Sequence, residues 1–271
     1  ECLNSLKNQI TKYELNIIVI DDGSTDDTCN ILNKKFSEIT ILKGTGFFYW
    51  CGSISFGLKY VLKIAKKNDY VLLLNNDVIL SPNSIQNLIE VINQFKRKCI
   101  AGSLAVSFED KKTIIKSGTI VKSWFWNITH HLYNGKNIDK IRNFEPESVD
   151  ILTGRCLLHP IEIFDKIGSY DMSSFKHYGA DDEFSRRIIK FGYKALLCPK
   201  SIIYLKKDNH YKNDRIDKFF YNMFFGVNSN QNIITKFFLT KKVVPLYARP
   251  TYFLIALLKS FYVSIRIFCK K

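Results

Sequence analysis

The chain has 271 residues, of which 46% are apolar and 14% aromatic, a composition that excludes a disordered protein. Its seven cysteines are scattered without C-x-x-C spacing, which argues against a disulfide framework or a zinc site and indicates a reducing compartment. The formal net charge is +15, and nine lysines and arginines but no acidic residue follow Asp217, so the C-terminal part favours a phosphate-bearing partner, either nucleic acid or an anionic lipid surface.

Apolar periodicity predicts alternating helices and strands with short connections in the first hundred residues. In chain order these are a helix over 1–11, a strand over 15–20, a helix after the loop 21–27 with acids in its first turn, a strand over 39–42, a helix over 53–67, a strand over 70–74 and a helix from Ser81-Pro82. This order is typical of an α/β protein with a doubly wound, mostly parallel sheet.

Beyond residue 105 the pattern loosens, and two short helices are predicted over 161–167 and 180–191, each closed by a glycine. We therefore divide the chain into a first part over 1–105, a second over 106–205 and a basic, apolar helical tail over 206–271.

Three acidic clusters stand out. The first, DDGSTDD over 21–27, follows a predicted strand, and it also suits a solvated turn that caps the next helix. The second, Asn75-Asn76-Asp77, interrupts an apolar run; it suits either a tight turn or a Mg²⁺ or Mn²⁺ site that bridges to a substrate diphosphate. The third, Asp181-Asp182-Glu183, opens a helix, where acids complement the helix dipole and where a carboxylate beside a cleft can act as a general base.

Five segments in order resemble motifs of the family 2 glycosyltransferases, which have the A-type glycosyltransferase fold. The segment 17–26 resembles the nucleotide-binding signature, and 44–57 resembles the loop and helix that close over the donor. The segment 74–78 resembles the metal-binding DXD element in a variant whose first acid is Asn, 149–158 resembles the acceptor-side strand, and 178–187 resembles the motif that carries the catalytic base. The match extends over about residues 1–205.

The resemblance implies an inverting, metal-dependent transfer of a hexosyl or deoxyhexosyl group from a UDP- or dTDP-linked donor to a glycan or lipid-linked acceptor. It assigns Asp181 as the base and Glu183 as the second acid of that motif, on the acceptor side. Asp77 would hold Mg²⁺ or Mn²⁺ with help from Asn75. The implied donor-binding residues are Asp21, Asp22, Gly23, Gly44, Trp50 and Asn76. In these terms 1–105 is the nucleotide-sugar-binding part and 106–205 the acceptor and catalytic-base part.

The sequence departs from the family pattern at three places. The first apolar strand of the family does not appear before Glu1, Ala180 stands where the family has Glu, and the nearest histidine after the last strand is His210. These departures leave open a degenerate, non-catalytic assembly subunit as the alternative function. The many Lys, Asn and Ile residues hint at a bacterial enzyme of surface-polysaccharide synthesis.

Two aromatic and apolar features complete the prediction. On a strand, Trp124 and Trp126 would share one face, which suits an acceptor wall or ordinary packing. The tail from Thr251 to Phe268 is too interrupted to span a bilayer and, with Lys259, Arg266 and Lys270 in one stripe, suits a helix that lies on an anionic membrane surface; a helix packed on the catalytic domain is the alternative. We expect a peripheral protein on the cytoplasmic face of the cell membrane.

Charge alone suggests a nucleic-acid-binding protein, but no helix-turn-helix or base-stacking signature supports it.

Overall fold

The structure is a computed structural model that describes residues 1–141, 143–206, 221, 223–229 and 231–269, with side chains up to residue 263. His210 and most of the first fifteen residues of the tail therefore lie outside the described residues. The helices are α1 (Cys2–Lys7), α2 (Thr28–Lys35), α3 (Tyr49–Ile64), α4 (Ser84–Gln94), α5 (Glu162–Ile167), α6 (Ala180–Lys190), α7 (Ile233–Val243) and α8 (Arg249–Cys269).

The strands form three sheets. Their bounds are β1 (Ile18–Asp21), β2 (Thr40–Lys43), β3 (Tyr70–Leu74), β4 (Val78–Leu80), β5 (Cys99–Ser107), β6 (Ile114–Lys116), β7 (Thr119–Ser123), β8 (Ile128–His131), β9 (Glu147–Val149), β10 (Cys156–Pro160) and β11 (Lys194–Leu205). The large sheet has the order β3-β10-β5-β11-β4, with β6 on β5 and β9 on β11; β1 pairs with β2, and β7 pairs with β8. Of the five strands in that order, β3, β5 and β11 run in one direction, whereas β10 and β4 run against them.

Apolar side chains cover both faces of the large sheet. Along β5, Ile100 and Leu104 belong to one core cluster, and Ala101 and Ala105 belong to the other. This alternation follows from the two-residue period of a strand. Helix α4 packs on the second face through four buried residues at helical spacing: Ile85, Leu88, Ile89 and Ile92. The predicted α/β class with helices on both faces is thus confirmed.

Several boundaries differ from the sequence predictions. Helix α3 begins at Tyr49 instead of residue 53 and ends at Ile64 instead of residue 67. The predicted acids in the first turn of α2 are absent, because Asp26 and Asp27 precede the helix. Strand β4 was not predicted, since three residues are too few to give a period. Residues 124–127 form the turn between β7 and β8, so the expectation that Trp124 and Trp126 share a strand face is wrong.

The described part of the tail contains the helices α7 and α8, as predicted, and they pack on the rest of the chain. Helix α8 lies against α7, which in turn lies against α6. Ala256 and Ser260 of α8 are buried. In the part of the chain that the structure describes, no helix combines the length and hydropathy that a bilayer span requires.

Candidate active site

Asp22 joins two loops at the ends of β1 and β2. Its carboxylate accepts hydrogen bonds from the backbone N–H groups of Gly46, Phe48 and Tyr49, at 2.8, 2.8 and 3.1 Å. The last two N–H groups begin α3, so Asp22 caps that helix from a distant position in the chain. Gly44 permits this approach, because a Cβ there would lie 2.5 Å from Asp22 Oδ1.

Asp21 lies in the same loop but is buried. Its carboxylate accepts bonds from the Cys29 thiol at 2.7 Å and from the Ser24 N–H at 3.0 Å. These bonds, that from Cys29 foremost, hold the pKa of Asp21 below its usual value. Gly23 follows at a φ of +82°, and a Cβ there would lie 3.0 Å from Gly46 Cα. The loop is thus organised by internal bonds, and the assignment of these residues to a donor stays a prediction.

The turn between β3 and β4 carries the second acidic cluster. Asn75 Oδ1 accepts a bond from Trp50 Nε1 at 2.9 Å, which places the indole of α3 at the turn. Asn76 and Asp77 are exposed. Asp77 Oδ2 lies 2.8 Å from Arg155 Nη1, and no charge partner other than this guanidinium is described for it. The structure therefore brings Asn75, Trp50 and Asp77 together, and their roles in metal and donor binding stay predictions.

The antiparallel register of β3 and β10 explains why Arg155 lies there. Cys156 pairs with Leu74, so the next residues outward, Arg155 and Asn75, are neighbours. Their backbones are joined by a bond from Asn75 N–H to the Arg155 carbonyl at 3.0 Å. The sequence reasoning did not identify Arg155 as a site residue. Its only signal was a cation immediately before an apolar strand.

Asp181 lies in the first turn of α6 and reaches the same edge. Its Oδ2 accepts the Gly154 N–H at 3.2 Å, and its Oδ1 accepts the Asp182 N–H at 3.1 Å. Burial raises the pKa of Asp181, although these bonds and the charge of Arg155 oppose the rise. The Trp50 ring packs directly against Gly154, because a Cβ on this glycine would lie only 2.4 Å from Trp50 Cζ2. Asp77, Arg155, Gly154 and Asp181 thus form one continuous polar edge.

Asp182 is a second half-buried carboxylate beside Asp181. Burial, and then the charge of Asp181, raises the pKa of Asp182. Tyr252 of α8 contacts Trp124, which stacks on Arg186, one turn after Asp182 in α6. Burial, and then the charge of Asp182, raises the pKa of Tyr252 to about 12. The C-terminal helix therefore borders the site, which the sequence reasoning did not foresee.

Glu183 faces away from this edge. It is buried, and its two oxygens bind Arg187 at 2.9–3.2 Å. Arg187 in turn donates to the carbonyls of Ile167 and Ser169 at 2.7 and 2.8 Å. These contacts fasten α6 to the segment after α5 and favour a structural role for Glu183. Its assignment to the acceptor side stays a prediction.

The two tryptophans of the hairpin turn have different surroundings. Trp124 stacks on the guanidinium of Arg186 at 5.2 Å and contacts Tyr252 at 6.1 Å between ring centroids. Arg186 is held by an ion pair with Asp150. Trp126 is exposed and touches the ring of Phe125. Trp124 therefore borders the side of the site where Asp182 and Tyr252 lie, whereas Trp126 points to solvent.

The turn can bind a divalent cation only if a bound ligand completes the coordination of the ion. The described residues contain no group of three or more His, Cys, Asp and Glu side chains that could hold a metal. Asp77 offers one exposed carboxylate, and Mg²⁺ typically needs one or two such groups when substrate phosphates complete its coordination. The guanidinium of Arg155 already forms an ion pair with this carboxylate, which shows that the position attracts positive charge.

Comparison with known proteins connects this geometry with a family. The model of the family "Glycosyl transferase family 2" matches residues 1–168, more than half of the chain. The chain belongs to glycosyl transferase family 2. The matched range includes the Asp22 loop, the Asn75–Asp77 turn and Arg155, whereas α6 with Asp181 lies beyond it.

Two individual relatives of this family 2 member are informative. An uncharacterised glycosyltransferase of Mycoplasma pneumoniae, the MG060 homolog, is 28% identical over 128 residues, which are 47% of this chain and 42% of that protein. A crystal structure of GalNAc-T7 with UDP, GalNAc and Mn²⁺ superimposes with a TM-score of 0.61 at 15% identity, covering 90% of this chain and 48% of that chain. The second likeness confirms the A-type fold. The chain spans less than half the length of both proteins.

Proposed function

We propose that the chain transfers a sugar from a nucleoside-diphosphate sugar to an acceptor hydroxyl, with inversion at the anomeric carbon. The observation that carries the proposal is the edge from Asp77 through Arg155 and Gly154 to Asp181. In this proposal the Asp77 and Arg155 end of the edge takes the charged leaving group, and the half-buried carboxylate of Asp181 accepts a proton. The family membership and the presence of UDP, GalNAc and Mn²⁺ in the GalNAc-T7 structure support it.

Asp181 acts as the general base in this proposal. Its carboxylate takes the proton of the acceptor hydroxyl while that oxygen forms a bond to the anomeric carbon. The bond from this carbon to the diphosphate oxygen breaks, and the leaving diphosphate keeps the electron pair. Bonds from the Gly154 and Asp182 N–H groups fix the carboxylate in place, and the raised pKa makes it a stronger base than an exposed carboxylate.

Asp77 and Arg155 act on the donor diphosphate. A bound Mg²⁺ or Mn²⁺ would neutralise charge that develops on the departing diphosphate. Asp77 would hold that ion, with Asn75 nearby, and the guanidinium of Arg155 would then be released to bind a phosphate oxygen. Asp21, Asp22, Gly23, Gly44, Trp50 and Asn76 shape or line the donor side in this proposal, and a UDP- or dTDP-linked hexose or deoxyhexose is the expected donor class.

The acceptor side lies towards α8 and the β7–β8 turn. Asp182, Tyr252 and Trp124 are grouped there, and an aromatic face next to a carboxylate suits a sugar, which stacks through its C–H face and donates hydroxyl hydrogens. A glycan acceptor, free or lipid-linked, fits this chemistry. Surface-polysaccharide synthesis is the process in which we place the reaction.

The direct binding test uses UDP and Mn²⁺ with the full chain. Isothermal titration should show UDP binding that strengthens when Mn²⁺ is added, and Asp77→Ala should abolish the Mn²⁺-dependent gain. Glu145→Ala, which removes an exposed acid elsewhere, serves as the matched control and should keep the gain. An undiminished gain in Asp77→Ala would remove Asp77 from the metal site. No binding of any UDP- or dTDP-sugar by the unchanged chain would instead favour the non-catalytic assembly subunit.

A further inference from the structure

Helix α8 leaves one apolar face uncovered. Leu254, Leu258, Phe261 and Tyr262 follow each other at intervals of four, three and one residues, which places them on one side of a helix. Leu254 and Leu258 are each 58% exposed and Tyr262 is 64% exposed. Ala256 and Ser260 on the opposite side are buried. The exposed face is therefore a continuous outer surface of a helix whose inner surface is already packed.

The turn of the β7–β8 hairpin lies along the flank of this face. Lys259 Nζ donates to the Asn127 carbonyl at 2.5 Å, and Tyr252, two turns earlier, contacts Trp124. The tip of the turn presents Trp126, which is 60% exposed. A tryptophan and a tyrosine thus lie at the border of the apolar face, as aromatic residues do at membrane interfaces.

Positive charge without acidic partners lies on α7 and α8, which pack against each other. Lys236, Lys241 and Lys259 have no carboxylate partner among the residues that the structure describes, and the whole sequence after Asp217 contains no acid. Lys236 is half-buried, and burial followed by the charge of Lys259 lowers its pKa. These unpaired cations on adjacent helices suit a surface that meets negative charge from outside the protein.

We propose that the outer face of α8, together with Trp126, docks on an anionic lipid bilayer with the helix parallel to the membrane plane. A second copy of this chain would bring the same excess of positive charge to the contact, and it would therefore be repelled. A nucleic acid would match the cations but would leave the leucines and Phe261 in water. An anionic bilayer accommodates both the apolar face and its basic border.

Docking in this way would set the direction from which the acceptor arrives. Tyr252 of α8 contacts Trp124, and Trp124 stacks on Arg186, one turn after Asp182 in α6, so the membrane-facing helix borders the acceptor side of the site. The class of acceptor that follows is one displayed at a membrane surface, such as a lipid-linked glycan. This last step rests on the proposed function, whereas the docking does not.

Cosedimentation with vesicles tests the docking independently of any sugar transfer. The full chain is mixed with vesicles of phosphatidylglycerol and phosphatidylcholine in equal amounts, and with vesicles of phosphatidylcholine alone. The unchanged chain should pellet with the anionic vesicles at low salt, and Leu254→Ser/Leu258→Ser should lower the partition coefficient about tenfold or more. Leu62→Ser/Ile64→Ser, which changes two exposed apolar residues of α3, is the matched control and should bind as the unchanged chain does.

Four outcomes would overturn the proposal. The unchanged chain could ignore anionic vesicles at low salt, or Leu254→Ser/Leu258→Ser could bind them as well as the control does. Light scattering could instead show a dimer that this variant alone dissociates, which would assign the face to a second copy. Circular dichroism and melting curves show whether the variant is folded; if it is not, Lys259→Glu and Trp126→Ser should each weaken vesicle binding, and unchanged binding in both would refute the docking.

Discussion

Two adjacent carboxylates at the start of α6 differ in what surrounds them. Asp181 is bound by the Gly154 and Asp182 N–H groups and lies within reach of the charge of Arg155. No hydrogen bond or ion pair of the Asp182 carboxylate is found among the described residues, and burial, followed by the charge of Asp181, raises its pKa. This difference favours Asp181 as the group that is ionised and positioned, and Asp182 as the neighbour that is protonated first as the pH falls. Interacting carboxylates titrate as a pair.

The pH dependence of Asp182→Asn follows from this interaction. Asp181 must be ionised to accept a proton, so activity should fall as the pH drops through its raised pKa. The charge of Asp181 raises the pKa of Asp182, so Asp182 is already protonated at the pH where Asp181 loses its charge. The acidic limb of kcat/KM should therefore keep its position in Asp182→Asn, and activity above the limb should be largely kept. A pH series of UDP release measures this, with Asp165→Asn, an exposed acid of α5, as the control. A limb that moves away from its position in the unchanged chain would contradict the assignment.

The loops around α3 show how one element is held by another. Asp22 accepts the first N–H groups of α3, although 26 positions separate it from Phe48. The helix has no cap from its own N-terminal side chain. An acid that the sequence assigns to donor binding thus also has a structural task in the absence of any donor.

Asp22→Ala separates these two tasks. Loss of the cap should lower the free energy of unfolding by about 1–2 kcal/mol without any ligand. Asp27→Ala changes an exposed acid in the same loop that caps no N–H group of α2, so its unfolding curve should match that of the unchanged chain. Urea unfolding measures both. Equal stability of the unchanged chain and Asp22→Ala would show that the three hydrogen bonds contribute nothing.

The elements differ in how well the sequence foretold them. Strand β3 was predicted to the residue, because a short apolar run is bounded by Asp69 and Asn75. The turn at 124–127 was missed, since it has neither Gly nor Pro and its only local sign is Asn127, whose φ is +48°. Arg155 could not be paired with Asp77 beforehand, because their contact depends on the antiparallel register of β3 and β10, strands far apart in sequence.

At the scale of the molecule, three parts of the chain converge on one edge. The β3–β4 turn brings Asp77, the start of β10 brings Arg155, and α6 brings Asp181; α8 borders the same site through Tyr252. The tail predicted as a separate membrane-associating part therefore also borders this edge. The family match ends at residue 168, so the residue proposed as the base lies outside it.

That position makes Asp181→Asn the most direct test of the account. Turnover is measured as UDP release from a panel of UDP-sugars with Mn²⁺, and UDP affinity is measured by titration in the same preparations. The account predicts that Asp181→Asn loses about 10²–10⁴-fold in turnover and keeps UDP affinity, because the base acts on the acceptor and not on the nucleotide. Turnover equal to that of the unchanged chain, or a greater loss in Asp182→Asn than in Asp181→Asn, would contradict it.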